Sequence, residues 1–217
     1  MRKLFSKKAK RFASDTDGSI AVEFAIYAPL VLFIFAMVVT FFDAFRQESI
    51  NLKAAYTVSD LISRETQELN EDYIDSMQDM AELLVRPDSD LSIRITIVRW
   101  DEDDDRHYID WSKARGDAYA ERTDADIQLI ADNLPNMPDQ ERVILVEMHN
   151  LVRPVFPVVF LELRDADFND SEENLLQQSL MEIESFVFTR PRFAPLVRFE
   201  GLIISGPSHD DGIDETI

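Results

Sequence analysis

Carboxylates at alternate positions are the feature of this sequence that most suggests a metal site. Asp101, Asp103 and Asp105 lie in one run of five acids, the pattern with which a calcium-binding loop begins. Such a loop also requires glycine at its sixth position and glutamate at its twelfth, where this chain has Arg106 and Ser112. The run therefore predicts the solvated tip of a hairpin, and we expect no metal site.

Neither histidine nor any nucleophile occurs in a pattern that predicts catalysis. His107, His149 and His209 are far apart, and none has a second histidine or a cysteine at ligand spacing. The chain has no cysteine, no Gly-x-Ser-x-Gly motif and only five glycines, which argues against a cysteine nucleophile, a nucleophile elbow and a glycine-rich phosphate loop. A net charge of −20 argues against nucleic acid, whose phosphates require a basic face. We expect no catalytic residues, cofactor, small-molecule substrate or nucleic acid partner.

One acid does occupy an unusual position. Glu23 is the only charged residue in the run of 23 residues from Ile20 to Phe42. A helix of that length spans about 35 Å and can cross a hydrocarbon core of about 30 Å. The run exceeds the apolar core of about 7–15 residues found in a cleaved secretory signal. We predict a retained transmembrane helix over residues 19–42, which contacts the membrane through residues 20–42.

Glu23 has two interpretations. It lies about 6 Å from the start of the helix at 1.5 Å per residue, so it could snorkel to the headgroups and have no function. Alternatively, it has a cationic partner within the membrane, because a carboxylate at the bilayer centre costs about 2.5–3.5 kcal/mol. If the chain is cut after Gly18, the new amine of Ser19 could meet Glu23 of a neighbouring subunit and set the stagger of packed helices.

The charges on either side of the helix predict its orientation. The first eleven residues hold six bases and no acid, whereas residues 43–217 hold 39 of the 42 acids. Basic flanks stay in the cytoplasm. We therefore predict a cytoplasmic leader over residues 1–18 and a periplasmic acidic part, in a single-pass protein of the bacterial inner membrane.

The fold class predicted for the rest is α+β, a long amphipathic helix followed by a small, mostly antiparallel sheet with short helices. Residues 43–86 predict a helical stalk with a break near Asn70-Glu71, and residues 87–204 an exported domain. The apolar face of the stalk is predicted to contain these residues: Phe45, Leu52, Tyr56, Ile62, Leu69, Tyr73, Met77, Met80 and Leu84.

Four strands and two short helical segments are predicted in the exported domain. Residues 91–100 and 107–113 alternate apolar and polar residues as a hairpin, 142–149 is a central strand, and 184–190 is a fourth strand. Thr123 or Asp124 can cap a short helix that reaches Leu134, and Asp170-Ser171 caps a helical turn. Residues 154–160, broken by prolines, predict a loop or edge piece, and residues 205–217 a flexible acidic tail.

The amino-terminal segment also resembles a known family. Gly18-Ser-Ile-Ala-Val-Glu-Phe-Ala-Ile-Tyr-Ala-Pro-Leu30 follows a basic arm and opens a long apolar helix. It is similar to the prepilin-processing motif of type IV pilin-like proteins, and within them to the TadE/TadG-like proteins of the tight-adherence pilus system, Pro29 included. The general layout of that family is matched further along by Phe45-Arg46, by Lys53-Ala54-Ala55, by the strand from Val143 to Met148 and by Thr189-Arg-Pro-Arg-Phe-Ala-Pro195.

The resemblance implies a role for four residues. Gly18 is the residue before the cut, Ser19 the new amino terminus, and Glu23 the acid of the processing and assembly motif. Phe24 occupies the place where such motifs often have tyrosine. TadG-like members can remain uncleaved, but the length of this chain is closer to the small TadE or TadF-type pseudopilins, which favours cleavage. The implied partners are the prepilin peptidase, sister pseudopilins and the inner-membrane assembly platform.

Two hypotheses of different classes follow. The first is a non-catalytic minor pseudopilin, processed after Gly18 and held in the inner membrane before assembly. The second is an uncleaved single-span protein whose acidic periplasmic domain binds or senses something. The segment from Gly18 to Phe24 discriminates them, because a sensor needs no glycine five positions before a buried acid.

Overall fold

The computed structural model describes residues 19–86, 89–155 and 180–202. In chain order, the described elements are α1 (Ser19–Arg64), α2 (Glu71–Leu84), β1 (Asp90–Asp101), β2 (Arg106–Arg115), α3 (Asp124–Leu129), a 3-10 turn (Ala131–Asn133), β3 (Arg142–Val152) and β4 (Met181–Thr189). The α+β prediction is confirmed. Gly18, His209, the turn after Asp170-Ser171, residues 156–160 and the tail over 205–217 lie outside the described residues.

The four strands form one antiparallel sheet in the order β2-β1-β3-β4. β1 and β2 form the predicted hairpin, in which Trp100 is paired with His107 across the turn. The turn itself carries the acidic run and is exposed to solvent. β3 lies between β1 and β4 and is the central strand that its apolar sequence predicts.

Helices α1 and α2 cover one face of the sheet. The predicted alternation in β1 is confirmed, because Leu91, Ile93, Ile95 and Ile97 are all buried on this face. α1 packs on β3 and β4, whereas α2 packs on β1 and β2. A smaller core on the opposite face contains Val98, Leu134, Met137, Val143, Leu145 and, from α3, Ile127.

The carboxyl end of α1 is tied to the segment after β4. The backbone N–H of Arg192 donates a 2.8 Å hydrogen bond to the carbonyl oxygen of Ser63, at the last turn of α1. α1 ends at Arg64, and the side chain of Asn70 caps α2 by accepting from Tyr73 N at 2.9 Å. The predicted helix break near Asn70-Glu71 is confirmed. It comprises residues 65–70.

The short helix in the middle of the chain is capped by Thr123. The hydroxyl of Thr123 accepts from Asp126 N, and the Asp126 carboxylate accepts from Thr123 N, so that both halves of a capping box are present. The α-helix ends at Leu129 and only a 3-10 turn continues to Asn133, which is shorter than the predicted helix. Asp124 does not cap. Its carboxylate accepts a hydrogen bond from Ile109 N at 2.7 Å.

One acid is buried between two arginines on the sheet face opposite α1. The guanidinium of Arg94 donates to Glu147 at 2.7 and 2.9 Å, and Arg122 donates to the same carboxylate. Burial alone would raise the pKa of Glu147, but the hydrogen bonds from Arg122 and Arg94 lower it below its ordinary value. The Arg94 guanidinium also lies 4.4 Å from the centre of the Tyr119 ring.

We expect Glu147→Leu to destabilise the fold by about 3–5 kcal/mol, because two guanidinium groups that are each only 12 % exposed lose their counter-charge. Chemical unfolding of the full-length protein in detergent measures the change. Glu184→Leu is the matched control. It makes the same substitution at an exposed position of β4 and should change stability by less than about 1 kcal/mol. If the two substitutions lowered the free energy of unfolding equally, the stabilising role of the Glu147 ion pairs would be contradicted.

The same pair of arginines predicts a pH dependence. Because the pKa of Glu147 is lower in the folded state, its ionised form stabilises the fold above the ordinary carboxyl pKa. This contribution is lost as the pH falls through the lowered pKa. A Glu147→Gln variant should therefore lose less stability on acidification than the unmodified protein.

Candidate assembly interface

The first half of α1 has the dimensions of a membrane span. It belongs to the one described helix that is long and apolar enough to cross a membrane. Large apolar side chains are exposed along it, including Phe24 at 72 % and Phe35 at 61 %, and Thr40 is the first buried residue. The 20 residues from Ile20 to Val39 span about 30 Å, which matches a hydrocarbon core. The helix is compatible with a single-pass membrane protein.

Three of the four predicted processing residues lie at the amino-terminal end of this helix. Ser19 is the first described residue of α1, and Gly18 lies outside the described residues. Glu23 and Phe24 are exposed on the first turns. Within the described part of the chain Glu23 has no hydrogen-bond or ion-pair partner, so the fold does not bring these residues together with any other site.

The second half of α1 buries a line of polar and small residues, which Val58 and Ile62 join towards the carboxyl end of the helix. Thr40, Asp43, Gln47 and Asn51 are each at most 6 % exposed and face the sheet side of the helix. The same face continues with Ala54, Ala55, Val58, Ser59 and Ile62, which are buried too. Their separations of three and four residues place them on one side of the helix. This buried line joins α1 to β3 and β4.

Two polar residues of the buried line, Asp43 and Asn51, have partners in distant parts of the chain. The Arg86 guanidinium, which follows α2, donates to both carboxylate oxygens of Asp43 at 3.1 and 3.2 Å and to the carbonyl of Arg153 at 2.8 Å. The amide nitrogen of Asn150, on β3, donates to the Asn51 side-chain oxygen at 2.8 Å. These contacts link α1 to β3 and to the segments after α2 and β3, next to the end of the membrane span.

The opposite face of α1 carries an apolar stripe that no described element covers. We define the outward stripe as Phe42, Phe45, Ser49, Leu52 and Tyr56. Phe45 is 67 % exposed and Tyr56 55 % exposed, and both lie beyond the apolar run that ends at Phe42. The prediction of one apolar face for residues 43–86 is therefore wrong here. Ile62, Leu69 and Met77 are buried, whereas the large residues of the stripe point outwards because polar and small residues occupy the contact with the sheet.

His107, His149 and the acidic run belong to no candidate metal cluster in the described part of the chain. No group of three or more His, Cys, Asp or Glu there could hold a metal ion. Burial lowers the pKa of His107, whose ring lies 4.7 Å from that of Trp100. His149 contacts Glu182 at 2.6 Å. Both side chains contribute to packing and to contacts between elements.

The sequence interpretation missed the residues that orient α1. Asp43, Gln47 and Asn51 recur every four residues, which is a helical face. A helix face of polar residues ordinarily indicates exposure to solvent. The only sign that this face is buried was that it continues into Ala54-Ala55, Val58 and Ile62. Arg86 had no signal in the local sequence, because its partner Asp43 is 43 residues away.

Comparisons with known proteins bear on the same helix. The family model described as TadE, TadE-like protein, matches residues 18–59, less than half of the chain. The match begins at Gly18, includes Glu23 and Phe24, and extends through the outward stripe. No curated protein and no solved structure matches the chain significantly. The chain thus carries a TadE-like amino-terminal segment, consistent with a TadE/TadG-like protein of the Tad pilus system.

Proposed function

We propose that this protein is a non-catalytic minor pilin-like subunit that takes part in assembly of a tight-adherence pilus. The observation that supports this most is the outward stripe of α1. From Phe45 to Tyr56 the stripe extends beyond the membrane-contacting residues 20–42, and exposed large apolar residues on a helix outside the membrane indicate a protein contact. The stripe lies within the TadE-like segment and continues the apolar surface of the span. Its occupant is the long helix of a neighbouring pilus subunit, which runs parallel in the same membrane.

The charge distribution supports the proposed placement of the chain. The basic arm over residues 1–18 stays in the cytoplasm, residues 20–42 contact the inner membrane, and the acidic sheet domain is periplasmic. The buried line from Thr40 to Asn51 joins the sheet domain to the helix directly after the span. Neighbouring α1 helices can therefore meet along the stripe without an intervening part of the described sheet.

Glu23 supplies the second element of the proposal. The prepilin peptidase cuts after Gly18, and the new amine of Ser19 in one subunit pairs with Glu23 of its neighbour. Glu23 is exposed and has no partner in the described part of its own chain, which leaves it free for this contact. Sister pseudopilins and the inner-membrane platform are the further partners of this proposal.

Processing is the most direct test. We expect the mature protein from cells that contain the prepilin peptidase to begin at Ser19, as measured by amino-terminal sequencing. The same protein from cells without the peptidase should keep its basic leader and should remain in the membrane. A protein that begins at Met1 or Arg2 in both strains would favour the alternative, an uncleaved single-span protein with a periplasmic binding or sensing domain.

A further inference from the structure

The outward stripe follows the seven-residue repeat of a parallel coiled coil. Its five members are separated alternately by three and four residues, as are the core positions a and d of each heptad. With Phe42 at position a and Phe45 at d, Ser49 and Tyr56 occupy the next a positions and Leu52 the next d position. The same spacing continues into the span through these exposed residues: Val38, Phe35 and Val31.

Opposite charges flank this stripe at the positions that select a partner. In the same repeat, Glu48 occupies position g and Lys53 occupies position e of the next heptad. Side chains at g and e pair between the helices of a parallel coiled coil. Both are exposed and neither has an ion-pair partner among the described residues. They cannot pair within one helix, because neighbours on a helix surface are three or four residues apart and these are five apart.

The membrane would hold two copies of α1 in the same register. Their spans from Ile20 to Val39 have the same length and sequence, so that the two helices run parallel at equal depth. Glu48 of each copy then lies beside Lys53 of the other, and twofold symmetry produces the ion pair twice. Ser49 is the smallest side chain of the stripe and lies between the two charged positions, where it permits close approach of the helices.

We infer that the neighbour which occupies the outward stripe is a second copy of this chain, parallel and in register, with an ion pair between Glu48 and Lys53 on each side. This inference rests on the proposed function, which supplies the membrane insertion. It concerns the protein held in the inner membrane before assembly, whereas the staggered contact of Ser19 with Glu23 belongs to the assembled fibre. It goes further by naming the partner and the pairs that select it. In this dimer the contact is symmetric, and each residue of the stripe packs against the same residue of the other copy.

Disulfide cross-linking tests the register, because the chain has no cysteine of its own. Ser49→Cys places one thiol at a central a position, where in-register partners lie within disulfide reach. We expect oxidation of native membranes that contain the full-length protein to convert this variant to a covalent dimer. Thr57→Cys, an exposed position of the same helix outside the stripe, is the control and should remain monomeric.

A charge exchange tests the ion pairs on the Ser49→Cys background. Glu48→Lys alone and Lys53→Glu alone each place like charges opposite one another and should reduce the cross-linked fraction about tenfold. The two substitutions together restore opposite charges and should return cross-linking to the starting level. If a single substitution reduced cross-linking by impairing folding or expression, the double variant would not be rescued, because it retains both substitutions.

Three outcomes would overturn the inference. One is equal cross-linking at Ser49 and Thr57, and another is a double variant no better than the singles. The third is a Ser49→Cys protein that forms no dimer yet enters fibres in a manner that depends on Leu52 and Tyr56. In that case the stripe binds a sister subunit and the proposed function stands. If the protein is found outside the membrane, the proposed function itself fails.

Discussion

Replacing Leu52 and Tyr56 together with aspartate is expected to abolish entry of the protein into pilus fibres and to leave its fold intact. Both side chains are exposed, at 39 % and 55 %, on the helix face opposite the sheet. Their replacement should therefore change stability by no more than about 1 kcal/mol per site. In a helix–helix contact the same two carboxylates would be buried without partners, which costs several kcal/mol and lowers occupancy by about 100-fold or more.

The measurement is the amount of protein in sheared fibres relative to the amount in the membrane fraction, with thermal unfolding followed by circular dichroism. Leu83→Asp is the matched control. It makes the same change at an 85 % exposed leucine of α2, outside the stripe, and should enter fibres normally. Normal fibre entry of the double variant, with an unchanged melting curve, would show that the stripe is not the assembly surface.

Replacing Glu23 with glutamine is expected to leave membrane insertion intact and to abolish fibre assembly. Glutamine has the same shape but no charge, so the amine of Ser19 in the neighbouring subunit would lose its counter-charge within the membrane. Removing one partner of a buried ion pair costs about 3–5 kcal/mol. Insertion should not suffer, because a neutral side chain is easier to place in hydrocarbon than a carboxylate.

Carbonate extraction of membranes measures insertion, and electron microscopy of fibres measures assembly. Glu23→Asp keeps the charge on a shorter side chain and should retain part of the assembly that glutamine loses. If the glutamine variant assembles normally, Glu23 snorkels to the headgroups and has no partner, as in the simpler interpretation of its position near the membrane edge.

Periodicity in the sequence predicted most of the fold, because most elements have an apolar face that lies in one environment, either the protein core or the membrane. The alternation from Leu91 to Ile97 predicted a half-buried strand, and the apolar run from Ile20 to Phe42 predicted a membrane helix. Thr123 predicted a helix start, because its hydroxyl can satisfy a free N–H at the first turn. These are local relations, and local sequence is sufficient for them.

The orientation of α1 on the sheet could not be predicted in the same way. Both of its faces have helical spacing, and the apolar one was the natural choice for the core. The polar one is buried instead, because Arg86 neutralises Asp43 and Asn150 binds Asn51, which is 99 residues away in sequence. Only tertiary contact shows that these polar groups have partners. The exposure of the outward stripe could not be predicted for the same reason.

The way in which α1 lies on the sheet also determines how the molecule bears a mechanical load. The helix is in contact with the sheet along its length from Thr40 to Ser63, and its last turn is bonded to the segment after β4. A tensile force applied along the axis of α1 therefore acts on the contact between helix and sheet in shear, across many contacts at once. Shear geometry requires these contacts to break together, whereas a hinge would let them peel apart one by one.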